Sequence, residues 1–212
     1  MSKRAFLRAL AILPLLSACT GILGIEQATH DPALDEPRGG GGQPGDSGGA
    51  PKTPCEEYCA TALRNCAGAN SLYASSDACL AVCNTFPAGT AGADSGNSLA
   101  CRMKYAKLAG TVGELDINCP AAGPGGDGVC GTNCEGFCTI ALAACPTSTV
   151  VNVDSCAGLC ARLPDQGGYD ASIQKGNSVQ CRLYHASAAT LDPVVHCPHV
   201  AGVGPCSATS TP

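Results

Sequence analysis

The sequence predicts an all-α, disulfide-rich fold: two eight-cysteine helical modules in tandem behind an unstructured tether. Three observations carry this. Sixteen of the seventeen cysteines lie at or beyond residue 55. Those sixteen fall into two copies of one spacing pattern. Helix-capping signatures recur at equivalent points of the two copies. The boundaries that follow are 1–18 for a removable leader, 19–54 for the tether, 55–130 for the first module and 131–212 for the second.

Residues 1–18 begin with Lys3, Arg4 and Arg8 and continue as an apolar stretch from Ala9 to Leu16, broken only by Pro14. That is the layout of a secretory signal, and the stretch is too short to span a bilayer. It ends Leu16-Ser17-Ala18-Cys19, and here the chain resembles the bacterial lipoprotein family. The resemblance implies cleavage before Cys19, with diacylglycerol on its sulfur and an acyl chain, such as palmitate, on its amino group. Thr20, rather than Asp, implies the outer membrane or cell surface. Cysteine parity agrees: an exported chain should carry no leftover thiol, and assigning Cys19 to lipid leaves an even sixteen.

Without the signal, nine basic residues face seventeen acidic ones, and no Lys/Arg cluster occurs. A surface of that sign repels phosphate backbones and anionic headgroups, which excludes nucleic acid as a partner. Membrane attachment is therefore expected through lipid alone, at about 0.8 kcal/mol per buried CH₂.

The tether contains RGGGGQPGDSGGAPKTP from Arg38 to Pro54. Such composition cannot bury enough apolar surface to offset ordering entropy. Its length implies a reach on the order of 30–35 Å. Gly45 to Gly49 spells GDSGG, the setting of the nucleophile in chymotrypsin-like proteases. Ser47 has no rigidly held base near it, His30 lying in the same tether, so the match is read as coincidence.

The repeat aligns Cys55, Cys59, Cys66, Cys79, Cys83, Cys101, Cys119 and Cys130 with Cys134, Cys138, Cys145, Cys156, Cys160, Cys181, Cys197 and Cys206. Three gaps are identical and the others differ by three residues or fewer. CEEYCATALRNC at 55–66 matches CEGFCTIALAAC at 134–145, and GNSLACR at 96–102 matches GNSVQCR at 176–182. Thr53-Pro54-Cys55-Glu56 and Thr132-Asn133-Cys134-Glu135 are capping boxes. On a helix Cys55, Cys59 and Cys66 fall within about 40° of one another. Asp77 and Asp154 are expected to cap second helices carrying Cys79/Cys83 and Cys156/Cys160. Asn97 or Ser98, and Asn177 or Ser178, would cap third helices carrying Cys101 and Cys181. Thr147 to Val153 is the one stretch with β-branched alternation.

Two C-x3-C pairs on neighbouring helices predict clamped hairpins, with bridges Cys55–Cys83 and Cys59–Cys79, and Cys134–Cys160 and Cys138–Cys156. Cys66–Cys101 and Cys145–Cys181 are expected to dock the third helices, and Cys119–Cys130 and Cys197–Cys206 to close the tails. Arg102 and Arg182 are expected to pair with Glu56 and Glu135 or another acid. The need for bridges is compositional: no Trp and seven aromatics beyond the signal leave modules of this size short of a hydrophobic core.

His185, His196 and His199 all lie in the second module, the last two bracketing Cys197-Pro198. Tyr105 and Asn118 are among their counterparts, so these histidines are not part of the shared scaffold. Imidazoles suit copper or zinc, provided the tail folds back onto the third helix. No C-x-x-C pair, acid/base pair or phosphate loop is present. The expectation is therefore a membrane-anchored envelope protein that binds an envelope protein or glycan, or plays a structural part. Metal binding by the three histidines is the alternative and catalysis a distant third. No cofactor is expected apart from the lipid on Cys19.

Overall fold

The computed structural model describes residues 52–209. The expected signal, Cys19, His30, Ser47 and nearly all of the expected tether lie outside the described residues. Among the described residues there are eight α-helices and no strand. In the first repeat they are α1 (Pro54–Asn65), α2 (Ser76–Cys83), α3 (Leu99–Thr111) and α4 (Leu115–Ala122). In the second they are α5 (Asn133–Ala144), α6 (Cys156–Cys160), α7 (Val179–Ala189) and α8 (Pro193–Val200). No helix among the described residues is long and apolar enough to cross a membrane.

Local chemistry fixes most helix starts. Thr53 accepts from the Glu56 amide while Glu56 accepts from that of Thr53, and Thr132 and Glu135 repeat the exchange. Ser98 and Ser178, rather than the asparagines before them, cap α3 and α7. Ser75, not Asp77, caps α2, which leaves Asp77 inside the first turn. Asp154 does not cap α6 either; Asn152 accepts from the amides of Asp154 and Ser155 instead. Thr147 to Val153 forms turns, pinned by the Ser148 and Ser155 hydroxyls.

Eight bridges staple these helices. Cys55–Cys83, Cys59–Cys79, Cys134–Cys160 and Cys138–Cys156 join the hairpins in the expected pairs. The other four differ from expectation. The structure joins Cys66–Cys119, Cys101–Cys130, Cys145–Cys197 and Cys181–Cys206, not Cys66–Cys101, Cys119–Cys130, Cys145–Cys181 and Cys197–Cys206. The reason is which part of α3 meets the end of α1. Asn65 donates to the Ala106 carbonyl and packs on Gly110. Five residues separate Cys101 from Ala106, about 7–8 Å along a helix, which is beyond the Cα span of a bridge. α4 brings Cys119 to that place instead. α4 and α8, expected as tails, are helices that carry a proline near their ends, Pro120 and Pro198.

Arg102 is fully buried without a carboxylate partner. It donates to the carbonyls of Gly123, Pro124 and Ser98 and lies 3.9 Å over the Phe86 ring. Arg182 donates to the Val200 carbonyl and to Asn177. The expected pairs with Glu56 and Glu135 do not form, because the capping boxes hold those carboxylates at the helix starts. Each arginine instead ties its third helix to the chain at the end of the fourth. Burial pulls both guanidinium pKa values down.

The two repeats pack on one another within one compact unit. Asn97 donates to the Glu135 carbonyl and to Thr139, and the Ala171 amide donates to the Ser71 carbonyl. Gly136, inside α5, stands where a Cβ would run into the Pro124 carbonyl, so the linking segment can cross α5 only over a glycine.

Candidate metal centre

The three second-repeat histidines converge. α7 carries His185, and α8 carries His196 and His199 three residues apart, which places the latter two on one face. Only Thr190, Leu191 and Asp192 separate the helices. Asp192 caps α8 by accepting from the Val195 amide, and Pro193 occupies its first position. Arg182 fastens the far end of α8 to α7 through Val200. The Cys145–Cys197 and Cys181–Cys206 bridges hold the same two helices from outside. The three imidazoles are thus mounted on a braced hairpin.

His185 Nδ1 lies 2.9 Å from His196 Nδ1 and 3.2 Å from His199 Nδ1. Its Nε2 is 3.1 Å from the Gln174 carbonyl oxygen. A carbonyl only accepts, so His185 carries its proton on Nε2 and turns the Nδ1 lone pair inward. That is how an orienting outer contact sets the tautomer of a metal-ligating histidine. A single lone pair cannot satisfy two donors fully. A tetrahedral ion with nitrogen ligands at 2.0–2.1 Å spaces them about 3.3–3.4 Å apart. The observed separations need to open by only a few tenths of an ångström.

A second grouping, Cys181, His185 and Cys206, also has its potential ligand atoms within 4.8 Å of one another. Its sulfurs are bridged to each other and are not thiolates, so they are not ligands. The histidine triad is the usable set. In the first repeat the equivalent positions hold Tyr105, Asn118 and Ala121. Tyr105 donates to the Asp94 carbonyl and Asn118 to that of Gly113, while Ala121 is buried. The shared fold therefore stands without imidazoles, and their presence in one repeat is an addition to it.

Burial, followed by the neighbouring His199 and His196, lowers the His185 pKa to about 4, against a raising contribution from the Gln174 carbonyl. Burial and then His199 lower that of His196. His185 is therefore neutral and ready to ligate at physiological pH. The unfolded chain takes up this proton near pH 6.5 and the folded one near pH 4. The contribution of His185 to stability is complete above 6.5 and falls as pH drops toward 4, with a slope of up to about 1.4 kcal/mol per pH unit. Urea midpoints of wild type and His185→Gln between pH 7 and 4 should diverge across that window. Parallel curves would contradict a neutral buried imidazole.

The triad was legible as three residues and a condition, that the tail fold back. What met that condition was α8, whose start is written in Asp192-Pro193. The Gln174 carbonyl had no sequence signal at all. Among known proteins, a family model described as the BfoA family C-terminal domain matches residues 50–133, which span the first repeat and stop at the threshold of the second. No curated protein and no solved structure matches the chain. The chain is thus similar over its first repeat to the C-terminal domain of the BfoA family, and its histidine triad lies beyond the matched residues.

Proposed function

We propose that the chain is an exported envelope lipoprotein, anchored through acylated Cys19, whose second repeat binds one copper or zinc ion at His185, His196 and His199. One observation carries the metal reading: two imidazole nitrogens from α8 within 2.9 and 3.2 Å of an oriented, deprotonated nitrogen on α7. His185 is buried while His196 and His199 are partly exposed, so the site opens to one side, where a further ligand can complete the coordination sphere. The anchor rests on the sequence Leu16-Ser17-Ala18-Cys19 and on the even count of sixteen bridged cysteines.

Calorimetric titration with zinc and with copper, on wild type and His196→Ala, tests this. Wild type should bind one equivalent, and the variant should lose roughly a hundredfold or more in affinity, at least the cost of losing an outer-shell partner. Zinc at a hundred times its dissociation constant should add about 2.7 kcal/mol to stability. Equal, weak binding by both proteins would overturn the metal reading. Intact mass of the membrane-extracted protein checks the anchor, which requires a chain that starts at a lipid-modified Cys19.

A second reading, a docking module for an envelope protein, draws on the exposed Leu191, Val194 and Val195 around the start of α8. Leu191 precedes α8 and Val194 and Val195 lie in its first turn, beside the helix's histidines.

A further inference from the structure

The repeats meet around a cavity of about 170 Å³. One wall is Tyr73, Ser75 and Ala78, from the first repeat. The other comes from the second repeat and includes Tyr169, Tyr184, Ala188, Leu191 and His196. Because both repeats contribute, the cavity belongs to their junction and not to the shared module fold. Three of the five tyrosines in the chain face it.

We propose that this cavity is a binding site for one neutral, monocyclic aromatic molecule of phenol size. Volume sets the class, since an apolar cavity of about 150 Å³ accepts benzene. The lining sets the chemistry. Aromatic rings prefer edge-to-face partners at 4.5–7 Å, and three phenol rings surround the space. Their own polar atoms are largely committed within the protein: the Tyr73 hydroxyl is 2.8 Å from that of Tyr58, and Tyr169 bonds to Ser187. Burial raises the pKa of both Tyr73 and Tyr169, so these walls stay uncharged. Of the polar groups in the lining, Ser75 caps α2 and Ser187 donates to the Leu183 carbonyl, while the other two lie together at the start of α8. Asp192 is already the cap of α8, and the ring of His196 is held by its contact to His185. A ligand with an apolar ring and a single hydrogen-bonding group matches that division; a charged or bicyclic one does not.

Two residues connect the cavity to the histidine triad. His196 belongs to both, and the Tyr184 ring stands edge-on to His185 with centroids 5.0 Å apart. The aromatic site does not depend on the metal reading, but occupancy of the two should be linked equally in both directions.

The test uses phenol as the probe, with the mature chain and two cavity-filling variants, Ala188→Leu and Ala78→Leu, one from each wall. Saturation-transfer NMR and calorimetry are run first on metal-free protein, so a triad that fails to bind metal leaves this result intact. Wild type should bind phenol saturably, with one molecule per chain. Either variant, provided it keeps the wild-type circular dichroism and carries no alkylatable thiol, should weaken that binding roughly tenfold or more, a loss of about 1.4 kcal/mol. The second variant guards against one that fails to fold. A phenol affinity that shifts on zinc loading would support the shared wall at His196. Non-saturable uptake by wild type, or equal affinity in wild type and both folded variants, would overturn the proposal.

Discussion

Arg102→Ala is expected to destabilise the protein by about 3–5 kcal/mol, through a cavity and two newly unsatisfied carbonyls, those of Gly123 and Pro124. The guanidinium is fully buried, and it donates to backbone carbonyls rather than to a carboxylate. Its stability comes from the Gly123, Pro124 and Ser98 carbonyls and from the Phe86 face. In a unit of this size that cost corresponds to a fall in melting temperature of roughly 10–15 °C. Arg102→Lys should recover less than half of it, since one ammonium cannot span three carbonyls held by a planar fork. Glu56→Gln discriminates between the two accounts of this arginine. If an ion pair with Glu56 held Arg102, that variant would be costly. The structure places Glu56 in a capping box, where glutamine also accepts, so a change within about 0.5 kcal/mol is expected. Thermal unfolding of the three variants decides the matter.

The second large effect concerns Cys66–Cys119, which closes a loop of 53 residues. Removing both cysteines as Cys66→Ala/Cys119→Ala should cost about 4 kcal/mol by the loop-entropy relation. The hairpin bridge Cys138–Cys156 closes only 18 residues, and its loss should cost about 3 kcal/mol on the same relation. Connectivity has a cleaner readout than stability. Cys66→Ser, alkylated without reduction, should release the thiol of Cys119 and leave Cys101 protected. Alkylation at Cys101 instead would restore the pairing expected from the sequence and remove α4 from its position against α1.

The hairpin bridges and the later bridges differ in how far they could be foreseen, and the difference is geometric. Cys55 and Cys59 lie one turn apart on α1, and Cys79 and Cys83 one turn apart on α2. Two such pairs on adjoining antiparallel helices can be bridged in only one untwisted order. Cys66 and Cys101 carried no such constraint. Periodicity gives the face of a helix on which a cysteine sits, but not the level at which that helix crosses its neighbour. Asn65 meeting Ala106, instead of a residue near Cys101, is a matter of packing that goes with two redirected bridges in the first repeat, and the second repeat pairs its cysteines in the same order.

The sequence by itself determined the helical class, the duplication, the capping boxes at Thr53 and Thr132, the hairpin bridges and the three histidines as a group. All of these rest on interactions between residues close in the chain, or on comparison of one repeat with the other. Tertiary structure alone decided that Arg102 and Arg182 bind carbonyls, that α4 and α8 supply the partners of Cys66 and Cys145, and that the Gln174 carbonyl turns His185 inward. It also made the cavity between the repeats, which neither copy contains. Such features depend on where a helix end comes to rest against another helix. That position follows from the summed packing of many small contacts and leaves no local pattern in the chain.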